Sequence, residues 1–154
     1  MATLVTPTNL QKMEFDVTTA EGPSRVTIVT GTVSLTVGIN STGPYATDQR
    51  SYKVLLDPIL TPGQFRKAIS TVFLSNIVHV DGPPPTLTRW TVEDAQATFD
   101  DESGKVQLVI EARVLVGGDS ANAHLDGVTF QVTTLSSARH QPPSSKRGLR
   151  KSHE

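Results

Sequence analysis

The sequence predicts an all-β fold: an antiparallel β-sandwich of immunoglobulin-like or jelly-roll-like type with about seven or eight strands. Three observations carry that expectation. Apolar residues recur at every second position along most of the chain. Val and Thr are abundant, while runs of helix-forming residues are sparse. Eleven Gly and ten Pro punctuate the chain at the short intervals that strand-turn-strand folds require.

The elements follow in order. Met13, Phe15 and Val17 alternate with Lys12, Glu14 and Asp16, which predicts a half-buried strand. After the turn Ala20-Glu21-Gly22-Pro23, the segment around Val26 and Ile28 reads as extended. Val33, Leu35, Val37 and Ile39 then alternate with Thr32, Ser34, Thr36 and Gly38, small and β-branched residues that suit a wet strand face. A polar loop over 40–49 leads to Tyr52, Val54 and Leu56, a short strand closed by Asp57-Pro58. The next stretch admits two readings. Thr61 and Gln64 have capping-box spacing and Phe65, Ile69 and Val72 have helical spacing, which allows one short helix near 62–70. The crowding of β-branched residues favours a turn or short helix followed by a strand over about 68–80.

Asp81-Gly82-Pro83-Pro84-Pro85 is a stiff connector. Trp90 and Val92 share one parity while Ala95, Ala97 and Phe99 share the other, so a β-bulge is expected near Glu93-Asp94. Asp100-Asp101-Glu102-Ser103-Gly104 separates two strands, with Gly104 free to take a positive φ. The return strand sets Val106, Leu108, Ile110, Ala112, Val114 and Val116 on one face. After Gly117-Gly118-Asp119, Val128, Phe130 and Val132 alternate with Thr129, Gln131 and Thr133.

The 154 residues divide into an N-terminal arm (1–10), the sandwich (11–137) and a disordered basic tail (138–154). This length buries a core as one domain without cross-links. The chain has no cysteine, which excludes disulfides and Cys-based zinc or redox sites. No apolar run approaches the ~18 residues of a membrane span. The start, Met1 to Pro7, has neither the basic nor the apolar region of a secretory signal. Asn40-Ser41-Thr42 spells a glycosylation acceptor and is read as accidental.

Chemistry-bearing patterns are sparse. There is no Gly-x-Ser-x-Gly, no Walker pattern and no Gly-x-Gly-x-x-Gly. His79, His124, His140 and His153 are scattered, with no partner at ligand spacing, so no metal or other cofactor is expected. Asp100, Asp101 and Glu102 read as a solvated turn in preference to a calcium site. Glu93 and Asp94 are adjacent and on a regular strand face opposite sides, which does not suit a glycosidase pair. Trp90 and Tyr45, with Arg50 and Arg89 as polar partners, are the candidates for a ligand-stacking surface. Against this stands the reading of Trp90 as a core tryptophan. The formal charge of −1 is uneven: Arg139, Lys146, Arg147, Arg150 and Lys151 against Glu154 give the tail +4 and leave −5 on the body. Such a tail can contact an acidic surface, or simply be solvated.

The segment from Trp90 through Phe99, across Asp101-Glu102-Ser103-Gly104 to Val106–Val116 and Val128-Thr129-Phe130-Gln131-Val132, resembles the last strands of H-type-lectin-like sandwich modules. That resemblance implies sugar binding through loops and edge residues, and assembly as trimers or hexamers; none of the family's sugar-binding residues maps onto this chain. The expected function is a non-catalytic binding or assembly module, homo-oligomeric and open to a glycan or protein partner. The alternative is a structural subunit of a virion or phage-tail-like particle whose arms contact neighbours.

Overall fold

The computed structural model describes residues 1–41, 43–80, 87–118 and 121–138, and contains no helix among them. Eight strands follow in chain order: β1 (Thr3–Leu4), β2 (Thr8–Thr19), β3 (Gly22–Ser41), β4 (Ala46–Leu56), β5 (Phe65–Val80), β6 (Leu87–Asp100), β7 (Lys105–Gly117) and β8 (Ala121–Ser137). They make two four-stranded sheets, ordered β1-β4-β7-β6 and β2-β3-β8-β5. All pairings are antiparallel except the two-residue contact of β1 with β4. The predicted β-sandwich is the fold.

β7 shows how the pattern becomes a core. Val106, Leu108, Ile110, Ala112, Val114 and Val116 are all buried, and the residues between them face outward. Across the sandwich they meet Val29, Val33, Leu35 and Val37 of β3 and Leu125, Val128, Phe130 and Val132 of β8. Each large apolar side chain buried this way contributes roughly 1.5–3 kcal/mol. Phe130, the largest fully buried side chain, sits opposite Gly31 in the ladder. A Cβ on Gly31 would lie 2.9 Å from the Phe130 ring, so the missing side chain makes the ring's space. Gly104 ends the β6–β7 turn with φ +67°, the left-handed conformation that favours glycine.

Bulges and seams follow from local chemistry. Val92 pairs with Ala112 and Asp94 with Glu111, leaving Glu93 as the extra residue of the expected bulge. β3 slips against β8 between Ser34 and Val37, so Thr36 has no partner residue in that ladder. The Tyr52 hydroxyl, reaching from the other sheet, donates to the Thr36 carbonyl (2.9 Å) and accepts from its amide (3.0 Å). Both groups of a bulged residue are thereby satisfied inside the sandwich. The β5 and β6 edges meet without a ladder: Ser70 Oγ donates to the Ala95 carbonyl (2.8 Å), and Phe65 stacks on Phe99 with centroids 5.2 Å apart.

Two expectations are corrected. No helix forms over 62–70. The Gln64 side chain does cap the Thr61 amide (2.9 Å), but the turn closes and β5 begins at Phe65, earlier than the predicted strand start near 68. The β-branched run continues the chain as strand once that turn is made. The segment around Val26 and Ile28 is extended as expected, and within it Thr27 and Val29 are the residues that enter the core. The strand through Met13, Phe15 and Val17 exists, yet its apolar face is uncovered: Met13 is 63% and Phe15 45% exposed. β2 is an edge strand whose inner positions, Lys12, Glu14 and Asp16, are charged and cannot pack into the core.

Candidate functional site

The two sheets present very different outer faces. On the β1-β4-β7-β6 sheet, β4 shows Thr47, Gln49, Ser51 and Lys53, and β7 shows Gln107, Glu111 and Arg113. These groups are tied to one another. Arg113 bonds Glu93 (3.1 Å) and Thr47 (3.0 Å), Gln107 bonds Thr98 (3.0 Å), and Lys53 lies 3.5 Å from Asp100. Asp100 also accepts from the Ser103 hydroxyl and amide. The Ser103 hydroxyl first, with Lys53 adding to it, holds the Asp100 carboxyl below its ordinary range against the opposing effect of desolvation.

The outer face of the β2-β3-β8-β5 sheet is built otherwise. The register sets Met13 beside Ile28 and Phe15 beside Val26. Ile28 is next to Thr133 and Val26 next to Leu135; Ile69 flanks Thr133, and Phe73 flanks Thr129. Ile69 is 57% and Phe73 60% exposed. Thr and Gln fill most other positions from Thr8 to Thr19, Ser24 to Thr32, Lys67 to Phe73 and Thr129 to Ser137 that point this way. Lys67 is the one charged side chain among those that alternate onto the face. Between β3, β8 and β5, Val26, Lys67, Ile69, Thr133 and Leu135 line a shallow cup of about 160 Å³. Charge is confined to its end, where Arg66 reaches Glu21 (2.9 Å) and the hydroxyls of Thr19 and Ser137.

The ligand-surface candidates sit apart from one another. Trp90 points inward, packs against the core and donates its indole N–H to the His124 carbonyl on the opposite sheet (3.0 Å). Tyr45 is 70% exposed in the turn before β4. Arg50 pairs with Asp48 (3.0 Å) and lines an open basin of about 630 Å³ beside β1, with Met1, Thr3, Gln49, Ser51 and Glu111. Arg89 lines a separate pocket of about 130 Å³ with Glu93 and Arg113. Trp90 and Tyr45 line neither. The tail residues Arg139, Lys146, Arg147, Arg150 and Lys151 lie outside the described residues, as do His140, His153 and the His79 side chain. The His124 ring covers Gly38, where a Cβ would collide with it. Among the described residues no three His, Cys, Asp or Glu side chains gather as a metal site. No described helix is long and apolar enough to cross a membrane.

Compared with protein-family models, with curated proteins and with solved structures, the chain finds no match.

The apolar outer face was missed at the level of sequence: Met13, Phe15 and Val17 were read as the covered side of a half-buried strand, and Val26 and Ile28 only as extended. A signal for it was present in Val26-Thr27-Ile28-Val29. Apolar residues of both parities on one strand, ahead of a strict Val33-Leu35-Val37 face, mark a strand apolar on both sides.

Proposed function

We propose that the chain is a non-catalytic assembly module that associates with copies of itself through the outer face of the β2-β3-β8-β5 sheet. The observation carrying this reading is the exposed apolar set Met13, Phe15, Ile69 and Phe73, with Val26, Ile28 and Leu135 between them, on a face where Lys67 is the one charge away from the Arg66–Glu21 pair at its end. A face four strands wide and eight or nine residues long covers roughly 400–600 Å² before side-chain relief is counted. The apolar side chains occupy part of that area and Thr and Gln the rest, and the whole face approaches the ~800 Å² that each partner gives to a stable interface. A second copy suits it because sheets pack face to face through interdigitated Val, Ile, Phe and Thr. Apart from the Arg66–Glu21 pair, which neutralises itself, Lys67 is the charge that self-packing brings against its counterpart.

Sedimentation velocity over a concentration series tests this. The expected result is a mass well above 16.6 kDa, reduced to the monomer by the pair Ile69→Lys and Phe73→Lys. A wild-type monomer at high concentration would sink the reading.

A further inference from the structure

The edges of the two sheets are treated unequally. β5 and β6 face each other and are joined by the Ser70 hydroxyl and the Phe65–Phe99 stack. β4 is partly covered by β1. β2 pairs with β3 on one side only and offers a twelve-residue edge, without proline, on the other. Long uncovered edges of this kind add strands.

Building on the self-association proposed above, we infer that β2 pairs antiparallel with β2 of a second copy about a two-fold axis at Glu14, joining the two apolar-faced sheets into one eight-stranded sheet. The register follows from what each alternative places together. With Glu14 opposite Glu14 of the second copy, Met13 faces Phe15 and Gln11 faces Val17 on the outer side, so the apolar stripe runs unbroken across the axis. On the inner side Lys12 faces Asp16 twice. Within each copy Asp16 is held by Arg25 (2.8 Å) and Glu14 by Lys12 (2.8 Å), so the charges around the axis balance. A slip of one residue would set apolar against charged side chains along the whole strand. Moving the axis to Phe15 would put Glu14 against Asp16 twice. Moving it to Met13 would pair Lys12 with Glu14 twice but put Asp16 against Leu10 and Phe15 against Gln11, breaking the apolar stripe. The inner charges exclude the axis at Phe15, and the broken apolar stripe disfavours the axis at Met13, which leaves Glu14.

The chain has no cysteine, so single cysteines read that register directly. Opposed residues in an antiparallel pair have Cα atoms about 4.5–5.5 Å apart, within disulfide reach. Glu14→Cys in the full-length protein is expected to form a covalent dimer in good yield under mild oxidation. Lys12→Cys and Asp16→Cys should each stay monomeric on a non-reducing gel, because like residues then lie about 13 Å apart. Mixed one to one, these two should cross-link. Circular dichroism confirms the strand content of each variant, and the mixed pair decides the matter if Glu14→Cys does not fold. Cross-linking of Lys12→Cys with itself, or no cross-link in the mixed pair, would overturn the inference. If the wild type still sediments as an oligomer that the Ile69 and Phe73 substitutions dissolve, the face-mediated reading survives that result and only the edge pairing falls.

Discussion

The two outer faces of this sandwich come from the same kind of strand and end in different states. On the β4–β7–β6 side, half-buried Leu55, Val109 and Leu115 are separated by Lys53, Gln107, Glu111 and Arg113, whose charges and amides engage their neighbours. On the β2–β3–β8–β5 side the alternating positions are Met, Phe, Val, Ile and Leu interspersed with uncharged Thr and Gln, with Lys67 the one charge among them. Both faces are compatible with the same interior, since a strand's two sides are chosen independently. The difference teaches that burial within one chain decides only the inner face. What the outer face carries reports on what the folded unit meets next.

The contrast can be broken or sharpened by substitution. The largest effect compares two phenylalanines on neighbouring strands of one sheet, Phe130 turned inward and Phe73 outward. Phe130→Ala should cost about 3–5 kcal/mol by chemical denaturation. Phe73→Ala, measured at concentrations where the chain is monomeric, should stay within about 0.5 kcal/mol. Equal losses would mean that Phe73 is core. Next in size, Ile69→Lys with Phe73→Lys should weaken association at least a hundredfold, about 2.7 kcal/mol, whereas Gln49→Lys with Thr91→Lys on the opposite face should leave it unchanged. Sedimentation equilibrium distinguishes the two, and added sulfate should strengthen association of the wild type.

Tyr52→Phe should cost about 1–3 kcal/mol, because it strips both partners from the Thr36 backbone. Arg113→Ala should cost no more than about 1 kcal/mol, a loss that shrinks further in high salt. The smallest effect is a matter of pH. Asp100 titrates lower in the folded chain than in the unfolded one, so its contribution is complete above the ordinary carboxylate range, near pH 4, and disappears as the pH falls through the depressed value. Ser103→Ala should flatten that acid limb in a pH series of melting temperatures. An unchanged slope would remove Ser103 as the main cause.

Much of this molecule is legible in its residues, and the illegible part has a physical reason. Val106 to Val116 could be read as a buried face because six matching apolar residues admit one arrangement. The bulge at Glu93 was visible as a change of parity, and the Gly104 turn as a break between two strand patterns. Thr61 and Gln64 show where local chemistry stops: the cap they form is real, yet a cap specifies a turn's start and not whether a helix follows. Met13 and Phe15 show a second limit. Alternation says that two faces differ without saying what lies against either one. The candidate surface was hidden for that reason, while Trp90 and Tyr45 drew notice through residue type alone.

The phenol of Tyr52 has one more consequence. It latches β3 to the opposite sheet at the Thr36 level, and Asp48 adds a bond to the Gly38 amide close by (3.2 Å). The far end of the sandwich has an open cleft instead, where Lys12, Glu14 and Arg25 meet Pro58, Ile59 and Leu60. Thermal breathing should therefore start at the open cleft and travel toward the latch. In native-state hydrogen exchange, amides of β2 and the ends of β3 and β8 near Ser24 and Ser136 should label first, and Thr36 should be among the last.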